Sequence, residues 1–196
     1  KRQNEELVSR GELLSKANKL THALRDLGLK KFDTVAVVLP NSVEYFVVYM
    51  ACLQAGFYLV PINWHLAGPE IAYILEDSEA KAFIASGKNP DMEKACINAV
   101  SEISFDKKGC ITIDELEGFR HIDDFTKSMP DENPHDRSAG QVMNYTSGTT
   151  GKPKGVKRNL VEGDPDDVLS LFAMIFSFYN IQPEDENVHI VGSPLY

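Results

Sequence analysis

TVAVVLPNSVEYFVVYMACLQAGFYLVP, residues 34–61, decides the fold. Thr34 to Leu39 is a short, β-branched run closed by Pro40, the pattern of a buried strand. Asn41 and Ser42 then offer side-chain oxygens that cap a helix, and the apolar stretch through Ala55 stops at Gly56. Phe57 to Val60 repeats the strand signal and Pro61 ends it. Strand, helix and strand joined by such short connections predict a parallel pair with the helix laid across it. The stretch does not read as a membrane span. From Tyr45 to Ile62 it is interrupted by Gln54, Gly56 and Pro61, whereas a span needs roughly 18 nearly unbroken apolar residues.

The alternation continues on both sides. Upstream, Leu13, Ala17, Leu20, Leu24 and Leu27 form one helical stripe from Glu12 that ends at Gly28, a residue suited to a left-handed cap. Downstream, Pro69 and Glu70 mark the first turn of a helix reaching Asp77, and Lys81 to Ala85 is the next strand. A helix over Asp91 to Ile103 and a short strand over Ile111 to Ile113 follow. The polar stretch Lys127 to Ser138, with Pro130 and Pro134, reads as a connection and a subdomain boundary. Gln141 to Tyr145 is a strand, Val168 to Tyr179 a helix behind Asp164, Asp166 and Asp167, and Val188 to Val191 a last strand. The expected fold is α/β, a mostly parallel sheet flanked by helices.

Composition narrows the function classes. Twenty Lys and Arg against 29 Asp and Glu give a formal net charge of -9, with no dense basic cluster, which argues against a nucleic-acid partner. Cys52, Cys96 and Cys110 show no CxxC or Cys/His ligand spacing, so reduced thiols and a cytoplasmic location are expected rather than disulfides or zinc. No start methionine or signal-peptide pattern opens the chain, and Gly192 to Tyr196 stop without a closing element, so both ends read as cut.

The chemistry lies in Tyr145-Thr146-Ser147-Gly148-Thr149-Thr150-Gly151-Lys152-Pro153-Lys154-Gly155-Val156. Glycines let the backbone approach an anion and turn amides toward it, hydroxyls donate further bonds, and a lysine brings positive charge. Such a loop is built for phosphate, and local geometry there can outweigh an acidic protein as a whole. A plain flexible turn is the bland alternative for this composition. The P-loop pattern G-x-x-x-x-G-K-[ST] fails twice, because Thr146 stands where the first glycine belongs and Pro153 where the magnesium-binding hydroxyl belongs.

At these residues the chain resembles the adenylate-forming superfamily of acyl-CoA synthetases, aryl-CoA ligases, peptide-synthetase adenylation domains and beetle luciferases, whose signature reads [YF]-T-S-G-[ST]-T-G-x-P-K-G-V. Every defined position matches. Leu53 to Pro61 is similar to the family's L-K-A-G-x-x-x-V-P segment, and Pro194-Leu195-Tyr196 to the start of P-[LM]-[FY]-H. The resemblance implies that Thr146, Ser147, Gly148, Thr149, Thr150, Gly151 and Lys154 wrap the β- and γ-phosphates of ATP. It implies Mg2+ with Thr146 as a ligand, Tyr196 near the substrate, and a carboxylic acid and CoA as the other substrates.

The implied protein is an acid–CoA ligase acting on a fatty or aryl acid, of which residues 1–196 are a partial N-terminal domain. Its hinge, C-terminal domain and catalytic lysine would lie downstream, so the fragment alone is expected to be inactive. It is also expected to self-associate through surface normally covered by the remainder. A peptide-synthetase adenylation domain, a luciferase-type oxidoreductase and a non-catalytic truncated binding module are the alternatives. His22 reads as a solvated helix residue, Trp64 and His65 as core or loop packing, and Asp131, Glu132 and Asp136 as a solvated connection.

Overall fold

The computed structural model describes residues 7–146, 152–182, 191 and 193–195. The two strands of the deciding stretch form as Thr34–Val38 (β1), every residue of it buried, and Tyr58–Pro61 (β2). They pair in parallel from Thr34 opposite Tyr58 to Val37 opposite Pro61. Pro61 thus belongs to the strand instead of following it. It has no N–H to give, and Ile62 supplies the next ladder bond, its amide donating to the Val37 carbonyl over 2.8 Å. Between the strands runs Val43–Ala55 (α2). It is capped by the Ser42 hydroxyl accepting from the Tyr45 amide and closed by Gly56 in the left-handed region at φ 74°.

The upstream helix is Arg10–Asp26 (α1), which starts ahead of its apolar stripe because Ser9 and Glu12 close a capping box. Downstream come Gly68–Asp77 (α3), Ala80–Ala85 (β3), Pro90–Glu102 (α4) and Cys110–Thr112 (β4). Arg120–His121 (β5) and Ile122–Thr126 (α5) are too short to show a period in the sequence. The strand expected over Gln141 to Tyr145 divides. Gln141–Val142 (β6) stays with β2, while Tyr145–Thr146 (β7) leaves the sheet and pairs antiparallel with Lys154–Gly155 (β8). The last helix, Pro165–Phe178 (α6), begins at the proline, before the expected Val168. Of the strand expected at Val188 to Val191, all but Val191 lies outside the described residues.

The main sheet has six parallel strands in the order β5-β4-β3-β1-β2-β6. Alternate residues of β1 separate its faces. Val35 and Val37 join Leu20, Leu24, Val48 and Phe125 on the side of α1, α2 and α5. Ala36 and Val38 join Ile71, Leu75, Met92 and Cys96 on the side of α3 and α4. Both faces are covered, which is why the strands read as continuous apolar runs. Cys52, Cys96 and Cys110 are buried free thiols.

In the connection after α5, Asp131, Glu132 and Asp136 are exposed, as expected of a solvated run, yet the segment is fastened to the helices. Gln54 donates to Asn18 Oδ1 at 3.0 Å and to Thr21 Oγ1 at 2.9 Å, and Asn18 passes the link on to the Asp131 carbonyl at 2.8 Å. Arg25 pairs with Asp136. His22, half-buried instead of solvated, faces the Glu132 carbonyl at 3.1 Å from Nε2. The chain then slides between α2 and β2 at Gly140, where any Cβ would sit 2.5 Å from the Phe57 carbonyl oxygen and closer still to that of Cys52. That squeeze delivers the backbone into β6 and the hairpin beyond it.

Candidate phosphate-binding site

β7 and β8 form the stem of a hairpin, with Tyr145 opposite Gly155 and Thr146 opposite Lys154. The Val156 amide donates to the Asn144 carbonyl at 2.9 Å and closes the base of the stem. Of the residues expected to wrap phosphate, Thr146 and Lys154 are thus brought together as cross-strand neighbours, both exposed. Ser147, Gly148, Thr149, Thr150 and Gly151 lie outside the described residues. A hydroxyl and an ammonium side by side at the head of a stem, with no carboxylate paired to Lys154 among the described residues, suit an incoming polyanion.

The stem is seated on α3. Tyr145 Oη donates to Asp77 Oδ2 at 2.7 Å. Tyr73 Oη donates to the Pro153 carbonyl at 3.0 Å, and the Lys152 ammonium lies 5.0 Å above the Tyr73 ring. Burial first, and the bond to Asp77 second, push the Tyr145 phenol well above its ordinary range, so it stays a protonated donor. Gly155 lies flat against the Tyr145 ring: a Cβ there would fall 2.9 to 3.1 Å from three ring and hydroxyl atoms. Further along, Tyr58 Oη donates to the Arg158 carbonyl at 2.6 Å, with the Lys157 ammonium 4.8 Å over its ring.

Tyr73, Asp77 and Tyr58 were missed by the sequence reading. One signal for Asp77 was available: a carboxylate in the last turn of a helix opposes the macrodipole and needs another reason to be there.

Tyr196 lies outside the described residues, but its neighbours do not. Asn41 Nδ2 donates to the Ser193 carbonyl and the Leu195 amide donates back to Asn41 Oδ1, both at 3.0 Å, while the Tyr45 hydroxyl donates to the Leu195 carbonyl. The Pro194-Leu195 segment is therefore held where β1 turns into α2. Trp64 and His65 stack on each other at 3.6 Å between ring centroids, with Trp64 packed against the core on the α3 side, as their packing role requires.

Magnesium usually takes one or two carboxylates together with substrate phosphates and water. Among the described residues no group of three His, Cys, Asp or Glu side chains gathers. Thr146 offers a single neutral oxygen, which fits one ligand to an ion carried on a nucleotide and no more than that. Beside the stem, a cleft of about 780 Å³ is lined by Tyr49, Leu53, Val142, Thr146, Val156 and Phe176. No helix among the described residues is long and apolar enough to cross a membrane.

Residues 3–160 match the AMP-binding enzyme family. A long-chain-fatty-acid–CoA ligase of Mycobacterium tuberculosis, FadD13, is 34% identical over 143 residues, 71% of this chain and 27% of that protein. A fatty acid–[acyl-carrier-protein] ligase of Streptomyces coeruleorubidus, ScoC, is 34% identical over 152 residues, 74% of this chain and 27% of its own length. The chain thus spans about a quarter of the curated relatives it resembles. Among solved structures, o-succinylbenzoate CoA synthetase of Bacillus subtilis in complex with its acyl-adenylate intermediate has a TM-score of 0.65 at 24% identity, covering 98% of this chain and 45% of that one. That likeness speaks for the fold. The family match runs from α1 through both strands of the β7–β8 hairpin, and on that ground the chain belongs to the AMP-binding enzyme family.

Proposed function

We propose that this chain is the N-terminal part of an ATP-dependent acid–CoA ligase, and that its hairpin grips the β- and γ-phosphates while a carboxylic acid is activated. The observation that carries the reading is the pairing of Thr146 with Lys154 at the head of a stem whose sequence matches the family signature throughout. In the reaction a carboxylate oxygen attacks the α-phosphorus, the bond to the β-phosphate oxygen breaks, and pyrophosphate leaves with its electron pair. The thiolate of CoA then attacks the acyl carbon and AMP departs.

Lys154 and the hydroxyl of Thr146 are suited to the first step. Negative charge grows on the departing pyrophosphate, and donors already fixed in place stabilise it without reorganising. Bound Mg2+ would share that neutralisation, with Thr146 as its ligand from this chain. Ser147, Gly148, Thr149, Thr150 and Gly151 supply hydroxyls and close-approaching amides in the same reading. Tyr196 belongs beside the acid, next to the segment that Asn41 holds.

A fatty or aryl acid is the proposed substrate class. The acceptor has two readings, because relatives at the same identity carry names of a CoA ligase and of a carrier-protein ligase. A cytoplasmic location, a larger N-terminal domain continuing beyond these residues, and a subdomain boundary at 127–138 complete the proposal. The test is the complete protein with ATP, a panel of acids, and either CoA or a carrier protein. Pyrophosphate release with at least one acid, and thioester found by mass spectrometry on one acceptor, are expected. No release with any acid would overturn the reading.

A further inference from the structure

Tyr145 enters the hairpin ahead of the phosphate-binding turn and Pro153 leaves it, and both are tied to one face of α3. Tyr145 Oη reaches Asp77 Oδ2 at 2.7 Å, and Tyr73 Oη reaches the Pro153 carbonyl at 3.0 Å. Tyr73 and Asp77 stand one helical turn apart, and their own polar atoms come within 3.5 Å. The Tyr145 ring is in turn pressed on Gly155, so β7 and β8 share the same anchor. Asp77 is exposed and sits in the last turn of α3, where its charge opposes the helix dipole and that turn carries no basic residue. Among the described residues its polar contacts are Tyr145 and Tyr73.

We propose that Asp77 is a positioning residue, acting through the Tyr145 hydroxyl to hold the hairpin that binds the nucleotide's phosphates. The inference rests on the reading of that hairpin given above. A turn fixed at both ends has less conformational freedom to lose when phosphates bind, so releasing one end makes ATP binding bear the ordering. The loss should appear in KM for ATP. It should spare kcat and the KM for the acid, because the bound geometry, once formed, is unchanged.

The experiment uses the complete protein and measures pyrophosphate release against ATP and acid separately. Tyr145→Phe and Asp77→Ala are each expected to raise KM for ATP about tenfold, with kcat and acid KM near the parental values. The double variant should be no worse than either single one, since both remove the same bond. Asp77→Asn keeps an acceptor oxygen for Tyr145 and should restore the parental KM. A merely structural role would move the two KM values together. If the parent turns over ATP and Tyr145→Phe leaves its KM for ATP unchanged, or if the two substitutions add, the positioning role is wrong and the nucleotide reading stands. A parent that turns over no ATP with any acid overturns both.

Discussion

Lys154 is the residue on which most of the proposed chemistry converges. It is the one strongly basic group of the stem placed directly opposite Thr146, and removing one preorganised donor typically costs about a hundred- to a thousandfold in rate. Lys154→Ala in the complete protein is expected to slow adenylation by that order while leaving the fold intact, as circular dichroism would show. Gly155→Ala is a steric counterpart. Its Cβ would fall 2.9 Å from the Tyr145 ring, so the ring must shift off Asp77, and ATP affinity should drop with it. The three cysteines give a pH test. Burial raises the Cys96 thiol from 9.0 to about 12 and the Cys110 thiol from 9.0 to about 11, and moves Cys52 upward as well. Each folded thiol stays neutral where its unfolded counterpart ionises. Their stabilising effect is therefore complete below pH 9 and is lost as pH rises through 9 toward 11 and 12. Ellman's reagent at pH 8 should find no reactive thiol in the folded chain and all of them after unfolding. Rapid reaction without unfolding would contradict their burial. The hairpin proposed to bind phosphate stood out in the sequence because hydroxyls, glycines and lysines in that order have one chemistry in common. The partners that seat the loop did not, since Tyr73 and Asp77 precede it by a long stretch of chain and only folding brings them together.

Elements spell out a different balance. β1, α2 and β2 were legible because a doubly covered parallel strand must be apolar along its whole length and a cap or glycine marks each helix end. The break between β6 and β7 was not. Gln141 to Tyr145 has a strand's composition, and the departure from the sheet goes with Tyr145 bonding to Asp77 and with Met143 joining the core on the α3 and α4 side. The fastening of the 127–138 connection was also hidden, because it runs through a backbone carbonyl, that of the exposed Asp131, which accepts from the buried Asn18. Gln54, Asn18 and Thr21 are all buried, and Gln54 serves the other two at once. Gln54→Leu leaves Asn18 Oδ1 without its partner, a desolvation cost of about 1–3 kcal/mol. Urea unfolding of the folded chain should show that loss in the midpoint with little change in slope. An unchanged midpoint would mean that the network contributes nothing to the seating of the connection.

At the scale of the whole molecule, β6 is the last strand of the sheet among the described residues, paired there with β2. Beside it lies the cleft whose walls include Val156, Val161 and Phe176, exposed by 43%, 52% and 51%. An exposed apolar wall of this kind favours contact with a second copy. Purified residues 1–196 are expected to self-associate, and Val161→Lys should shift them toward monomer. Light scattering that shows only monomer for the unsubstituted chain would count against this. The 143 residues matched to the relative FadD13 cover 27% of its length, so ligation by this stretch alone is expected to be undetectable. The central claim, that the hairpin of β7 and β8 holds a nucleotide's phosphates during acid activation, is tested most directly by acid-dependent exchange of labelled pyrophosphate into ATP. The complete protein should catalyse it with at least one fatty or aryl acid, and the Lys154→Ala protein should do so about a hundred- to a thousandfold more slowly. Exchange at the parental rate without Lys154, or none with any acid, would contradict the account.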